Sequence, residues 1–279
     1  MQIIDTVPFF LAKEKRTIPF LRSYYETYPA IFHEYFSYHC QDTEERHMTS
    51  LTKYPDSIPS ILETHKRIVP IIQEVSQTFA ELYKLDLPIG VNLIVGGYGS
   101  NAYTHKQVIP DITFALEKLS SDPDHLRVIV AHEFGHAAHN LLSDKAGTDW
   151  TKMAWNHPLI WINQEGAATH FSRNIIPDLK PSVYFSFNDE GEEWIEFAST
   201  HFSEIKKAFA KDVEQEDSGS IFREWFSIRG GLTFKNARLA YYIGDQFFQY
   251  QKKRLGEHTA IVAWKEKHFI EDVQEWLSR

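Results

Sequence analysis

Two histidines four residues apart, with a glutamate beside the first, make His132-Glu133-Phe134-Gly135-His136 the stretch whose residue types and spacing point to metal chemistry. On a helix, residues four apart lie above one another on one face, so His132 and His136 can direct both imidazoles at a single ion. A zinc held there lowers the pKa of a bound water to about 7, and Glu133 is placed to take that water's proton. The flanking residues, Val128-Ile129-Val130-Ala131 before and Ala137-Ala138 after, are apolar, and no proline interrupts them. Two imidazoles and a carboxylate inside a buried helix are costly unless something satisfies them, which favours a bound ion over a chance match. One zinc per chain is the expectation.

The third ligand decides the class. A His-x-x-Gly-x-x-His extension needs glycine at position 139 and histidine at 142; the chain has His139 and Leu142, so that class is excluded. Asp144 or Asp149, just beyond the motif, can serve as the ligand. Glu165 is the better candidate, because Gly166, Ala167 and Ala168 follow it in a second predicted helix. Small residues there let that helix approach the motif helix closely enough for a zinc–oxygen bond of ~2.0–2.2 Å. The competing reading of Glu165 is a surface carboxylate at a helix turn. His139 reads as a helix-end histidine favoured by the macrodipole, with support of the ligands as its alternative. Thr169 and His170 are candidate supporting groups beyond Glu165. His201 and Arg229 are candidates to reach the cleft, and His33, His39, His47 and His65 lack ligand spacing and read as surface or packing residues.

The elements that must position these residues follow from pattern. Residues 1 to 88 read as helical, with apolar positions at helical spacing from Ile58 to Tyr83 and Pro70 as a kink or break. Val91 to Val95 is a β-favouring run that ends in Gly96-Gly97-Tyr98-Gly99, and Ile109 to Leu116 is a second. Pro110 cannot donate to a ladder, so that strand lies at a sheet edge or starts after the proline. Such a sheet either offers its edge to an extended peptide or buttresses the helix. The motif helix is predicted from about Asp124 to Leu142, entered through Ser121-Asp122-Pro123. The Glu165 helix runs from about Leu159 to Arg173. Further helices are expected at Glu192–Lys211, Asn236–Lys253 and Thr259–Leu277. The fold class is therefore α+β and mostly helical, a small sheet beside a metal-binding helix. A helical region spans 1–88 and a second domain 89–279, with which the first can form one compact unit.

His132-Glu133-x-x-His136 followed by Glu165-Gly166-x-Ala168 resembles the gluzincin clan of zinc metallopeptidases. Within it the chain is most similar to a family of predicted Zn-dependent bacterial proteases, over roughly residues 90 to 250. A later Tyr-x-x-Gly pattern, Tyr241-Tyr242-Ile243-Gly244, is part of the likeness; Ala240 stands where that family often has glycine. The resemblance implies a zincin-like fold, zinc on His132, His136 and Glu165, and Glu133 as general base. It also implies an oxyanion-stabilising tyrosine, Tyr241 first and Tyr242 next, worth about 10²–10³ in rate.

Composition bounds the rest. The 279 residues are 43% hydrophobic and 14% aromatic, ample for a core. A net charge of −9 argues against nonspecific nucleic-acid binding and against an anionic membrane surface. Cys40 is the one cysteine, so no intrachain disulfide forms. No run of about 18 apolar residues is present to span a membrane, and a cytoplasmic location is the default. The expected partner is a peptide or protein substrate. Two rivals share the motifs: a zinc hydrolase of another amide or ester, and a silent protein that keeps zinc for structure or binding.

Overall fold

The computed structural model describes Met1–Arg279 as an α+β, mostly helical protein with thirteen helices and one four-stranded sheet. Two compact units divide it, Met1–Glu133 and Phe134–Arg279. No helix is long and apolar enough to cross a membrane.

The first unit begins with a strand, β1 (Gln2–Asp5), where sequence pattern predicts helix. It continues through α1 (Val7–Leu11), α2 (Ile18–Thr27), α3 (Pro29–Tyr38) and α4 (Glu44–Tyr83) to β2 (Gly90–Ile94), β3 (Ala102–Thr104) and β4 (Ile112–Ala115). The strand order is β1-β2-β4-β3. β1 runs parallel to β2 with Ile3 opposite Val91, β2 parallel to β4, and β3 antiparallel to β4. The sheet thus takes strands from both sides of residue 88, the boundary expected from sequence. β4 lies inside the sheet and starts after Pro110, so the missing donor falls outside its ladder.

α4 is longer than its prolines suggest. It is one helix of 40 residues with Pro55, Pro59 and Pro70 inside it. All three are exposed and fall on one stripe, so each carbonyl deprived of its intrahelical donor faces water. Its other face buries Tyr54, Ile61, Ile68, Ile72, Val75 and Phe79.

Tyrosines tie these helices to the glycine-rich exit of β2. The Tyr54 hydroxyl donates to Gly96 O (2.7 Å), and the Tyr35 hydroxyl accepts from the N–H of Gly97 (2.8 Å) and Gly99 (3.0 Å). Glu117 completes the set, accepting from the N–H of Gly96 (2.9 Å) and Tyr98 (3.1 Å). Burial pushes its carboxyl up to about 7.

α5 (Pro123–Lys145) is continuous across the division at residue 133. Asp122 starts it, accepting from the N–H of Asp124 and His125. The second unit continues with α6 (Pro158–Ile175), α7 (Val183–Ser186), α8 (Glu192–Thr200), α9 (Phe202–Gln215), α10 (Ser218–Ile221), α11 (Leu239–Leu255), α12 (Glu257–Val262) and α13 (Phe269–Ser278). The single helices expected over Glu192–Lys211 and Thr259–Leu277 are each two, broken at His201 and between Val262 and Phe269. Its core joins Leu159 and Ile162 of α6, Phe209 of α9, Ile243 and Phe247 of α11, and Phe269 and Trp276 of α13.

α6 and α11 cross at two glycines. A Cβ on Gly166 would lie 2.1 Å from Gly244 O, and one on Gly244 would lie 2.2 Å from Ile162 O. Only glycine at both positions lets the two backbones touch.

Candidate metal centre

α5 is buried on all sides around the motif: Val128, Ile129, Val130, Ala131, Phe134, Ala137 and Ala138 are at most 2% exposed. That pattern marks a central helix rather than an amphipathic surface one. His132 and Glu133 are buried with it, at 3% and 8% exposure, while His136 is partly open.

α6 meets α5 where both are small. A Cβ on Gly135 would stand 3.0 Å from Ala168 Cα and 3.1 Å from Phe171 Cβ, so the helices pack at close range. Glu165 lies one turn before Ala168, and its Oε2 comes 3.7 Å from His136 Nε2. One ligand atom each from His132, His136 and Glu165 lies within 4.8 Å of the others. In a tetrahedral zinc site with bonds of ~2.1 Å, neighbouring ligand atoms are about 3.4 Å apart. The His136–Glu165 separation is near that value. Two imidazoles and one carboxylate suit zinc, and three protein ligands leave a fourth position for water or substrate.

Asp144 and Asp149 are committed elsewhere. Asp144 accepts from Trp150 Nε1 (2.8 Å), and Asp149 caps the turn at Trp150–Lys152 and pairs with Lys152. Glu165 is the acidic member of the cluster.

Glu133 is gripped by a residue that sequence reading missed. The Thr104 hydroxyl, at the end of edge strand β3, donates to Glu133 Oε2 at 2.8 Å and lies 3.3 Å from its backbone oxygen. Nothing local in the sequence marks Thr104, because β3 has three residues and its partner is 29 positions away.

His139 carries no charge to answer the helix dipole. It is fully buried, stacks on Trp264 with ring centroids 4.0 Å apart, and its Nε2 lies 2.8 Å from Ile261 O. Burial drives its pKa down to about 3, with the nearby His136 adding to the shift. It braces the end of α5 against the α12 segment as a neutral ring. His170 bonds Glu257 (2.7 Å) and stacks on Phe248, and Thr169 is buried in α6.

The two tyrosines on α11 diverge. The Tyr242 ring is enclosed by Phe185, Trp194 and Phe202, and burial raises its phenol pKa. Tyr241 packs on Phe226 at 6.4 Å, with the Arg238 guanidinium 4.0 Å over its ring. It lies one turn before Gly244, hence one turn from the crossing beside Glu165. His201 stacks on Phe197, and Arg229 is exposed; neither belongs to the cluster. The four histidines that lack ligand spacing lie apart from the cluster: His65 bonds Asp5, His39 stacks on Tyr103, His47 is buried beside Asp42, and His33 is exposed.

Comparison with protein-family models, with curated proteins and with solved structures gives no match.

Proposed function

We propose that this chain is a zinc-dependent metallopeptidase of the glutamate-ligand, zincin-like type. The observation that carries the reading is the convergence of His132, His136 and Glu165, with Glu133 next to the first ligand and anchored by Thr104. The likeness in motif to the gluzincin clan agrees with it and rests on the same residues.

When bound, zinc supplies Lewis acidity, polarising a carbonyl and lowering the pKa of a water to about 7. The protein's part is orientation and proton transfer. His132 and His136 come from successive turns of one buried helix, so their spacing is fixed before any ligand arrives. Glu133 takes the proton of the attacking water as oxygen adds to the peptide carbonyl, then delivers it to the amine as the carbon–nitrogen bond breaks. The bond from Thr104 holds the carboxylate in one orientation for both transfers. Tyr241 is the proposed donor to the developing oxyanion, and Tyr242, enclosed by aromatic rings, serves packing.

The test is digestion of a peptide library by native protein, by chelator-treated protein and by Glu133→Gln. Cleavage by the native protein alone, with zinc retained in Glu133→Gln, is the expected result. Full activity in Glu133→Gln would sink the mechanism. Hydrolysis of esters or other amides but of no peptide would move the protein to another zinc hydrolase, and no turnover of either with tight zinc would make the ion structural.

A further inference from the structure

One arginine beside Tyr241 has no acid to pair with. Arg238 caps the start of α11 with φ of 63°, a left-handed conformation in which asparagine is the common side-chain-bearing residue. It is held there from several sides. Trp194 Nε1 donates to the carbonyl of Ala237 (2.8 Å), and the Arg238 guanidinium lies 4.0 Å from the Tyr241 ring and 5.5 Å from the Phe187 ring. One bond leaves the guanidinium, from Nη1 to Phe185 O at 3.3 Å, and no carboxylate meets its other donors. Arg173, on α6, shows the contrast, forked onto Asp245 through both terminal nitrogens. In a chain of net charge −9, a half-buried arginine without an acidic partner presents a planar fork of donors shaped for a carboxylate.

Its place gives that fork a use. Tyr241 starts one turn from the Gly166–Gly244 crossing, and Gly166 follows Glu165. Phe226, on which Tyr241 packs, also meets Trp161 edge-on at 5.5 Å, and Trp161 lies one turn before Glu165 on α6. Phe222, 53% exposed, meets Trp161 edge-on at 5.8 Å. A guanidinium and an apolar shelf thus flank the stretch that leads to the ligand carboxylate. An extended peptide advances ~3.3–3.6 Å per residue, so a span of up to three residues on either side of a scissile bond covers up to about 11 Å.

We propose that Arg238 binds a substrate carboxylate, of an acidic side chain or of the C-terminus, within about three residues of the scissile bond. A bulky apolar residue beside it rests on Trp161 and Phe222. The proposal rests on the peptidase reading, so binding and cleavage are scored separately.

Zinc-loaded Glu133→Gln protein is titrated, by fluorescence anisotropy, into labelled alanine hexapeptides with one phenylalanine. Four forms are used: glutamate or glutamine next to the phenylalanine, each with a free or an amidated C-terminus. At least one acidic form should bind about tenfold or more tightly than the doubly neutral form. Adding Arg238→Asn, which suits the left-handed backbone and removes the charge, should bring that form within about twofold of the neutral one and leave the neutral form unchanged; Arg238→Lys should recover part of the preference. Which acidic form loses affinity identifies the carboxylate. Equal affinities in the parent protein, or a preference that survives Arg238→Asn, overturn the proposal. So does equal weakening of all forms with a lowered melting temperature, which marks Arg238 as a clamp on residues 185–187. Native protein that cuts peptides without acid preference leaves the peptidase reading standing and this proposal refuted. Acid-dependent binding with no cleavage of any form supports the carboxylate site and refutes the peptidase.

Discussion

Two groups of enclosed polar side chains, one around Glu117 and one around His136, differ in what answers them. Glu117 accepts two backbone N–H groups from the loop it supports, and Tyr35 accepts two more. Those side chains finish the hydrogen bonding of a segment that turns too sharply to finish its own, which is a structural task. In the middle turns of α5 and α6 the helices satisfy their own backbones, and the side chains of His132, His136 and Glu165 converge on one another instead. Charged or polar groups that meet at a point, rather than at a backbone, are what the proposed metal site rests on.

That contrast can be broken by substitution, and the largest effect is expected at the helix crossing. Gly166→Ala drives a methyl into Gly244 O and should cost about 3 kcal/mol of stability, read by chemical denaturation, and weaken zinc uptake with it. The Glu117 region should respond to pH instead. A folded-state carboxyl pKa of about 7, against the ordinary glutamate value of 4.5, means that the folded chain binds the extra proton. Its contribution is fully present below pH 4.5 and is lost as pH rises through 7, a swing of about 3 kcal/mol. Glu117→Gln should remove that part of the slope between about pH 5 and 8 while zinc stoichiometry stays unchanged. Tyr35→Phe leaves one buried and one partly buried N–H group without their acceptor and should cost about 2 kcal/mol, again without loss of zinc. The smallest effect is at Thr104: Thr104→Val should lower kcat about tenfold with zinc affinity and melting temperature nearly unchanged. Loss of zinc in Tyr35→Phe, or an unfolded Thr104→Val, would erase the distinction between the two regions.

What could be read from the sequence was local. His132 and His136 share a helix turn, and Glu165 is followed by the small residues that admit a neighbouring helix, so their types and spacing pointed to the cluster the three side chains form. Gly166 received α11, and Ala168 received α5. Thr104, Arg238 and β1 were out of reach for one reason: each acts through a partner far along the chain and leaves no periodic pattern. β1 reads as part of a helical region until its parallel pairing with β2, nearly ninety residues on, makes it a strand. α4 shows the reverse failure. Its prolines obey the local rule, but their shared solvent-facing stripe removes the cost that should have broken the helix. His139 reads as a helix-end cation and is a buried neutral ring, because Trp264 and Ile261 close over it from about 120 residues downstream.

The central claim is the metal centre, and titration of zinc into metal-free protein tests it most directly. Native protein should take up one zinc per chain. His132→Ala and Glu165→Ala should each bind it more weakly by more than the roughly 10–100-fold that loss of an outer partner costs. Native protein that takes up no zinc, or either variant binding it as tightly as native, would contradict the account.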